Sequence, residues 1–129
     1  MISVELPAEL SSATRARELI REKLGGACSR EVTETAALLA TELVTNAVLH
    51  ARTPFRLGVD ATPEVVRIWV EDTSAATPTL RSYEPGEATT GRGLVLVEAL
   101  ATAWGVDPTP AGKRVWCEVL VTGSEPEAR

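Results

Sequence analysis

Histidine occurs once in this 129-residue chain, at His50, and the two cysteines, Cys28 and Cys117, are far apart. There is no cluster of imidazole and thiol ligands for a structural zinc and no disulfide framework, so both cysteines are expected to be reduced packing residues. An excess of positive charge is also missing. With 13 basic residues against 18 acidic ones and a net charge of -5, no broad positive field exists for a polyphosphate backbone, which argues against direct nucleic-acid binding. A small anion held locally is still compatible with that balance. The first ten residues include Glu5 and Glu9 and no long apolar run. Neither a signal peptide nor a membrane span is expected, which predicts a cytoplasmic protein with no membrane partner.

What is present is ordinary globular material, 44% hydrophobic and 24% charged, enough for one core in one domain. Residues 1–122 read as that domain and residues 123–129, which contain Ser-Glu-Pro-Glu, as a tail that frays. Ile2, Val4 and Leu6 alternate with polar residues and predict a short strand ending at Pro7. Ser11 or Ser12 is placed to cap a helix whose apolar positions Ala13, Ala16, Leu19, Ile20 and Leu24 recur at helical spacing up to Gly25-Gly26. Ser29 is placed to cap a second helix, from about Arg30 to Ala51. Phe55, Leu57 and Val59, then Val66, Ile68 and Val70, form two alternating strands joined at Thr62-Pro63. Residues 74–90 lack periodicity and read as a functional loop or lid. A third helix is expected from Gly91 to about Ala103, ended by Gly105. Strands around Val106 and from Lys113 to Val121 complete a two-layer α/β sandwich, mostly antiparallel, with helices on one face.

Chemistry concentrates at three places. On the second helix, Glu42, Asn46 and His50 follow each other at four-residue steps and share a stripe with Thr35, on the side away from Ala36, Ala40, Leu43 and Ala47. Leu38, Leu39 and Leu49 are interleaved with that stripe, so it reads as a pocket wall rather than a solvated face. Asn supplies a hard neutral oxygen suited to Mg²⁺, and a carboxylate one turn earlier is placed to accept a proton near a terminal phosphate. His50 serves either in that chemistry or only as packing at the helix end. Asp72 continues the inward period of Val66, Ile68 and Val70. It either receives the amine of an adenine base, with the Thr73 and Ser74 hydroxyls beside it, or caps the following loop. Finally, Thr90-Gly91-Arg92-Gly93-Leu94 puts glycines at a helix start, where free backbone N–H groups favour phosphate.

In this order, the segment Glu42-Leu43-Val44-Thr45-Asn46-Ala47-Val48-Leu49-His50, Asp72, the loop and Gly91-Arg92-Gly93-Leu94 resemble the GHKL ATPase superfamily. The nearest branch is that of small bacterial anti-sigma-factor serine kinases. The resemblance implies the Bergerat ATP-binding fold with ATP and Mg²⁺ as ligands. It makes Glu42 the general base, Asn46 the Mg²⁺ ligand, Asp72 the adenine-amine acceptor, and Gly91 and Gly93 the phosphate-loop glycines. Thr73, Ser74, Thr90, Arg92 and Leu94 complete the ATP-binding set. It also implies a serine/threonine protein kinase that phosphorylates an antagonist protein, sequesters a sigma factor and forms a homodimer. The alternative is a protein-binding module gated by ATP without phosphotransfer. A histidine-kinase reading conflicts with the single histidine lying inside the ATP motif. Two positions depart from the pattern: Asp72-Thr73-Ser74-Ala75-Ala76 lacks the glycines of the first box. In the last motif, Gly112-Lys113-Arg114-Val115-Trp116, Lys113 stands where threonine is common, which predicts incomplete adenine contacts. The outward sheet positions Arg67, Trp69, Glu71, Arg114, Trp116, Glu118 and Leu120 form either an interface with tryptophan anchors or rings covered by arginine stems.

Overall fold

The computed structural model describes residues 1–50, 53–73 and 96–121. Its five strands are β1 (Ile2–Leu6), β2 (Phe55–Ala61), β3 (Val65–Asp72), β4 (Ala103–Pro108) and β5 (Lys113–Leu120). They make one sheet in the order β1-β2-β3-β5-β4, and every neighbouring pair is antiparallel. Helix α2 (Arg30–His50) packs on β3 and β5, and α1 (Ser11–Leu24) packs on α2 and β2. The inward residues of the strands, Leu57, Val59, Val66, Ile68, Val70 and Cys117 among them, form one cluster with the apolar faces of both helices. This is the expected two-layer α/β sandwich.

Local chemistry explains the element ends. Ser29 Oγ accepts the Val32 N–H at 3.1 Å and starts α2 as expected. The start of α1 is different: Leu10 holds the cap position with no side-chain cap bond, and Ser11 and Ser12 lie inside the first turn. Ser12 instead donates its hydroxyl to the Pro7 carbonyl at 2.7 Å, tying the helix back to the end of β1. In the β2–β3 turn, Thr62 donates its N–H to the Val65 carbonyl at 2.9 Å. Its hydroxyl accepts the Glu64 and Val65 N–H groups at 3.2 and 3.0 Å.

Helix α2 is buried over more of its circumference than sheet contact alone requires. Leu39, expected beside the polar stripe, is fully buried, whereas Leu38 is 39% exposed. Helix α1 covers α2 on a second side, where Arg21 pairs with Glu34 at 2.7 Å. By length and composition α2 is apolar enough to cross a membrane, but that apolar surface is spent on α1 and the sheet.

The expected third helix also ends earlier. Residues 96–100 are helical and Val97 is fully buried, but Ala103 and Gly105 belong to β4. The Thr102 N–H reaches the Glu118 carbonyl at 2.7 Å, so the backbone pairs with β5 instead of continuing as helix. Gly105 marks a close approach, not a helix stop. It lies opposite Trp116, and a Cβ there would come within 2.8 Å of the indole.

The same device recurs at Gly58 opposite Trp69, where an added Cβ would meet the ring at 2.2 Å. The two tryptophans face each other across β3 and β5. Arg114 covers the Trp69 ring at 5.4 Å and Arg67 the Trp116 ring at 4.8 Å. Glu71 and Glu118 hold these arginines at 3.3 and 3.4 Å. Of the two readings of this face, the geometry matches rings covered by arginine stems. Gly58→Ala should push the Trp69 indole out from under Arg114, at a cost of about 1–3 kcal/mol. Chemical denaturation should show the loss, accompanied by a change in tryptophan emission.

Candidate functional site

Four elements meet where the end of β3 and the start of β5 lie under the C-terminal half of α2. Leu43, Asn46, Ala47 and His50 come from α2, Val70 and Asp72 from β3, Val106 from β4, and Lys113 and Val115 from β5; together they line one cavity. Asn46 and Asp72, distant in sequence, are thus brought together. Thr73 is exposed and lines a wider cavity of ≈ 580 Å³ on the other side of Asp72, with Phe55 and Pro110. Glu42 is half-buried one helical turn before Asn46 and does not line the enclosed cavity. Ser74, Thr90, Gly91, Arg92, Gly93, Leu94 and the expected lid lie outside the described residues.

Lys113 is the residue that sequence reasoning missed. The alternation of Val115, Cys117 and Val119 extends back by one period to Lys113, on the inward face, and only 4% of it is exposed. It pairs in register with Asp72. Its ammonium donates to both carboxylate oxygens, at 3.0 and 2.8 Å, and the carboxylate is as buried as the ammonium. In the sequence, Lys113 stands out only as a departure from a motif. The inward period of the strand was the signal that would have placed it.

Gly112 explains how the two strands come so close. A Cβ on it would lie 2.1 Å from the Asp72 carbonyl oxygen and 2.8 Å from Thr73 Cα, so only glycine lets the start of β5 lie against the end of β3. Thr109 closes the β4–β5 turn from the other side, its Oγ1 accepting the Gly112 N–H at 2.9 Å.

The metal end of the proposed ligand finds a fitting group. Asn46 is 8% exposed, and its Nδ2 is buried without a hydrogen-bond partner. A half-turn of the amide presents the oxygen in the same place, a hard donor of the kind Mg²⁺ takes beside phosphates. The base end is different, because the Asp72 oxygens already hold a cation. His50 feels that cation as well: burial first, and the Lys113 charge second, hold its imidazole below the usual value of 6.5.

The family model of histidine kinase-like ATPase domains matches residues 6–118. No curated protein matches the chain. Among solved structures, the chain is similar to the histidine kinase domain of a blue-light activated histidine kinase from Erythrobacter litoralis. The TM-score is 0.57 at 22% identity, over 91% of this chain. The chain spans 62% of the length of that structure, and at this identity the likeness concerns the fold.

Removing one partner of a buried ion pair typically costs about 3–5 kcal/mol, because the other charge is left without compensation. Asp72→Ala should therefore destabilise the chain by about that amount. The double variant Asp72→Ala/Lys113→Met should recover much of the loss, as denaturant unfolding of the two variants will measure.

An NMR titration of His50 should give a midpoint below 6.5, and Lys113→Met should raise it without restoring 6.5, since burial is the larger cause. The unfolded chain binds this proton more readily than the folded one. Stability should thus fall as pH drops from neutral through about 6.5.

Proposed function

This chain belongs to the histidine kinase-like ATPase domain family, and on that premise we propose that it is a Mg-ATP-binding regulatory protein of the anti-sigma-factor kinase type. The observation that carries the reading is the meeting of Asn46 on α2 and Asp72 on β3 at one cavity, within a family match that spans both. Mg-ATP, when bound, supplies the transferable phosphoryl group. In this reading the Asn46 amide oxygen faces the metal, Asp72 receives the base, and Thr73 lies at the rim. Glu42 takes the proton of an attacking serine or threonine hydroxyl. The phosphate-loop roles of Thr90, Gly91, Arg92, Gly93 and Leu94, and that of Ser74, rest on the sequence resemblance. So do the antagonist protein, the sigma factor, the homodimer and the cytoplasmic location.

One observation favours a second reading, an ATP-gated binding module with little phosphotransfer. The carboxylate meant for the base is held by Lys113, which works against tight nucleotide binding.

Two substitutions separate these readings. Glu42→Gln should leave Mg-ATP affinity nearly unchanged and reduce phosphate transfer to an antagonist protein by about a hundredfold to ten-thousandfold, the usual cost of a missing general base. Asn46→Ala should instead weaken Mg-dependent binding itself. Calorimetry and a transfer assay on both variants are the measurements. A Glu42→Gln variant that transfers as fast as the wild type removes the kinase reading in favour of the binding module.

A further inference from the structure

Lys113 does at Asp72 what a ligand would be expected to do. An ammonium presents N–H donors to a carboxylate, as the exocyclic amine of a purine does, and here both carboxylate oxygens are taken, at 3.0 and 2.8 Å. The space left among Leu43, Asn46, Val70, Asp72, Lys113 and Val115 is ≈ 20 Å³. On that scale a water molecule needs about 10–15 Å³. The cavity therefore admits water and not a purine. Its outline is set by the Lys113 stem and head as much as by the apolar residues around them.

We propose that Lys113 is an intramolecular competitor for the base site, so that the free chain keeps the site closed and a nucleotide binds only by displacing the Lys113 ammonium from Asp72. The inference rests on the ATP reading above and adds to it the residue that sets its affinity. β3 and β5 are paired in register at Asp72 and Lys113, with Gly112 packed on the Asp72–Thr73 backbone, and displacing the ammonium leaves that pairing in place. Exchange is then a side-chain event. Lysine suits it, having a flexible four-carbon stem and a strongly hydrated head that regains water on leaving. Asp72 is also among the residues that line the wide cavity, while its side chain is only 3% exposed beside Lys113, so withdrawal of the Lys113 head is what uncovers the carboxylate. In such a scheme the apparent affinity equals the intrinsic one reduced by the fraction of chains with the site open. A strong ion pair makes that fraction small.

The test is calorimetry of the whole chain and of Lys113→Thr with Mg-ATP and, separately, with adenosine, which reports on the base site without the phosphates. Lys113→Thr removes the charge, opens the cavity and keeps a hydroxyl to satisfy Asp72. The expected result is binding at least about tenfold tighter than the wild type for both probes, the effect of an open fraction of about a tenth or less. A wild type that does not bind beside a variant that does is the extreme of the same result. Equal or weaker binding by the variant overturns the competitor while leaving the ATP reading intact, provided the wild type binds. If neither protein binds either probe, the ATP reading falls and the competitor falls with it.

Should Lys113→Thr fail to fold, the wild type decides. Reductive methylation of Lys113 can be compared with that of exposed Lys23, the other lysine of the chain. Saturating Mg-ATP should speed labelling of Lys113 relative to Lys23. A rate that is unchanged or slower overturns the proposal.

Discussion

Two opposite charges, Asp72 and Lys113, held in a nearly dry place at the end of a sheet constrain everything around them. Taking each ion out of water costs of the order of several kcal/mol, and only close pairing with further hydrogen bonds offsets it. The two contacts at 3.0 and 2.8 Å supply that pairing. They require β3 and β5 to be neighbours, in the register that puts residue 72 across from residue 113. They also require the turn before β5 to carry glycine at 112, because any side chain there would collide with the backbone of Asp72 and Thr73. The C-terminal half of α2 then closes over the pair, and the His50 imidazole resists protonation, first through partial burial and second through the nearby Lys113 charge.

This arrangement sets a tension at the heart of the site. At the metal end Asn46 has an amide group with an unpartnered atom, which fits a ligand. At the base end the acceptor is spoken for. A fold of the histidine kinase-like ATPase family therefore holds one half of its proposed nucleotide site ready and the other half filled by its own side chain. The departure at Lys113, which reads in sequence as a missing hydroxyl, is in three dimensions an added occupant. Losing a contact and gaining a competitor both weaken binding, but only the second is relieved by shortening a side chain.

The opposite face of the sheet follows a different rule. Trp69 and Trp116 spread over glycines on neighbouring strands and under arginines that are themselves held by glutamates. Charge, ring and close backbone approach are used together there, so the large aromatic surface is covered within the chain. The helix face of the sheet, by contrast, is closed by ordinary apolar packing, and its only charges among the described strand residues are the pair at the cavity.

Local patterns along the chain already specify the layers and most of the elements. Strict alternation in β2, β3 and β5, the three- and four-residue recurrence in α1, and Ser29 before α2 are local patterns whose physical meaning does not depend on distant residues. The sequence also marks Asp72 as an inward-looking polar group, since the strand period assigns its face directly, whereas Asn46, expected on the side of α2 away from Leu43 and Ala47, is buried and lines the same cavity as they do. Other features depended on partners that no local pattern names. Ser12 bonds Pro7 instead of capping, Leu39 is fully buried although it lies beside the polar stripe, and Gly105 lies in β4 across from Trp116. Above all, the ion pair was not legible as a pair. The period of β5 puts Lys113 inside, but a buried lysine is tolerable only if a carboxylate meets it. Whether Asp72 is that carboxylate depends on which strands are neighbours and in what register, and only the packing of the whole sheet decides that.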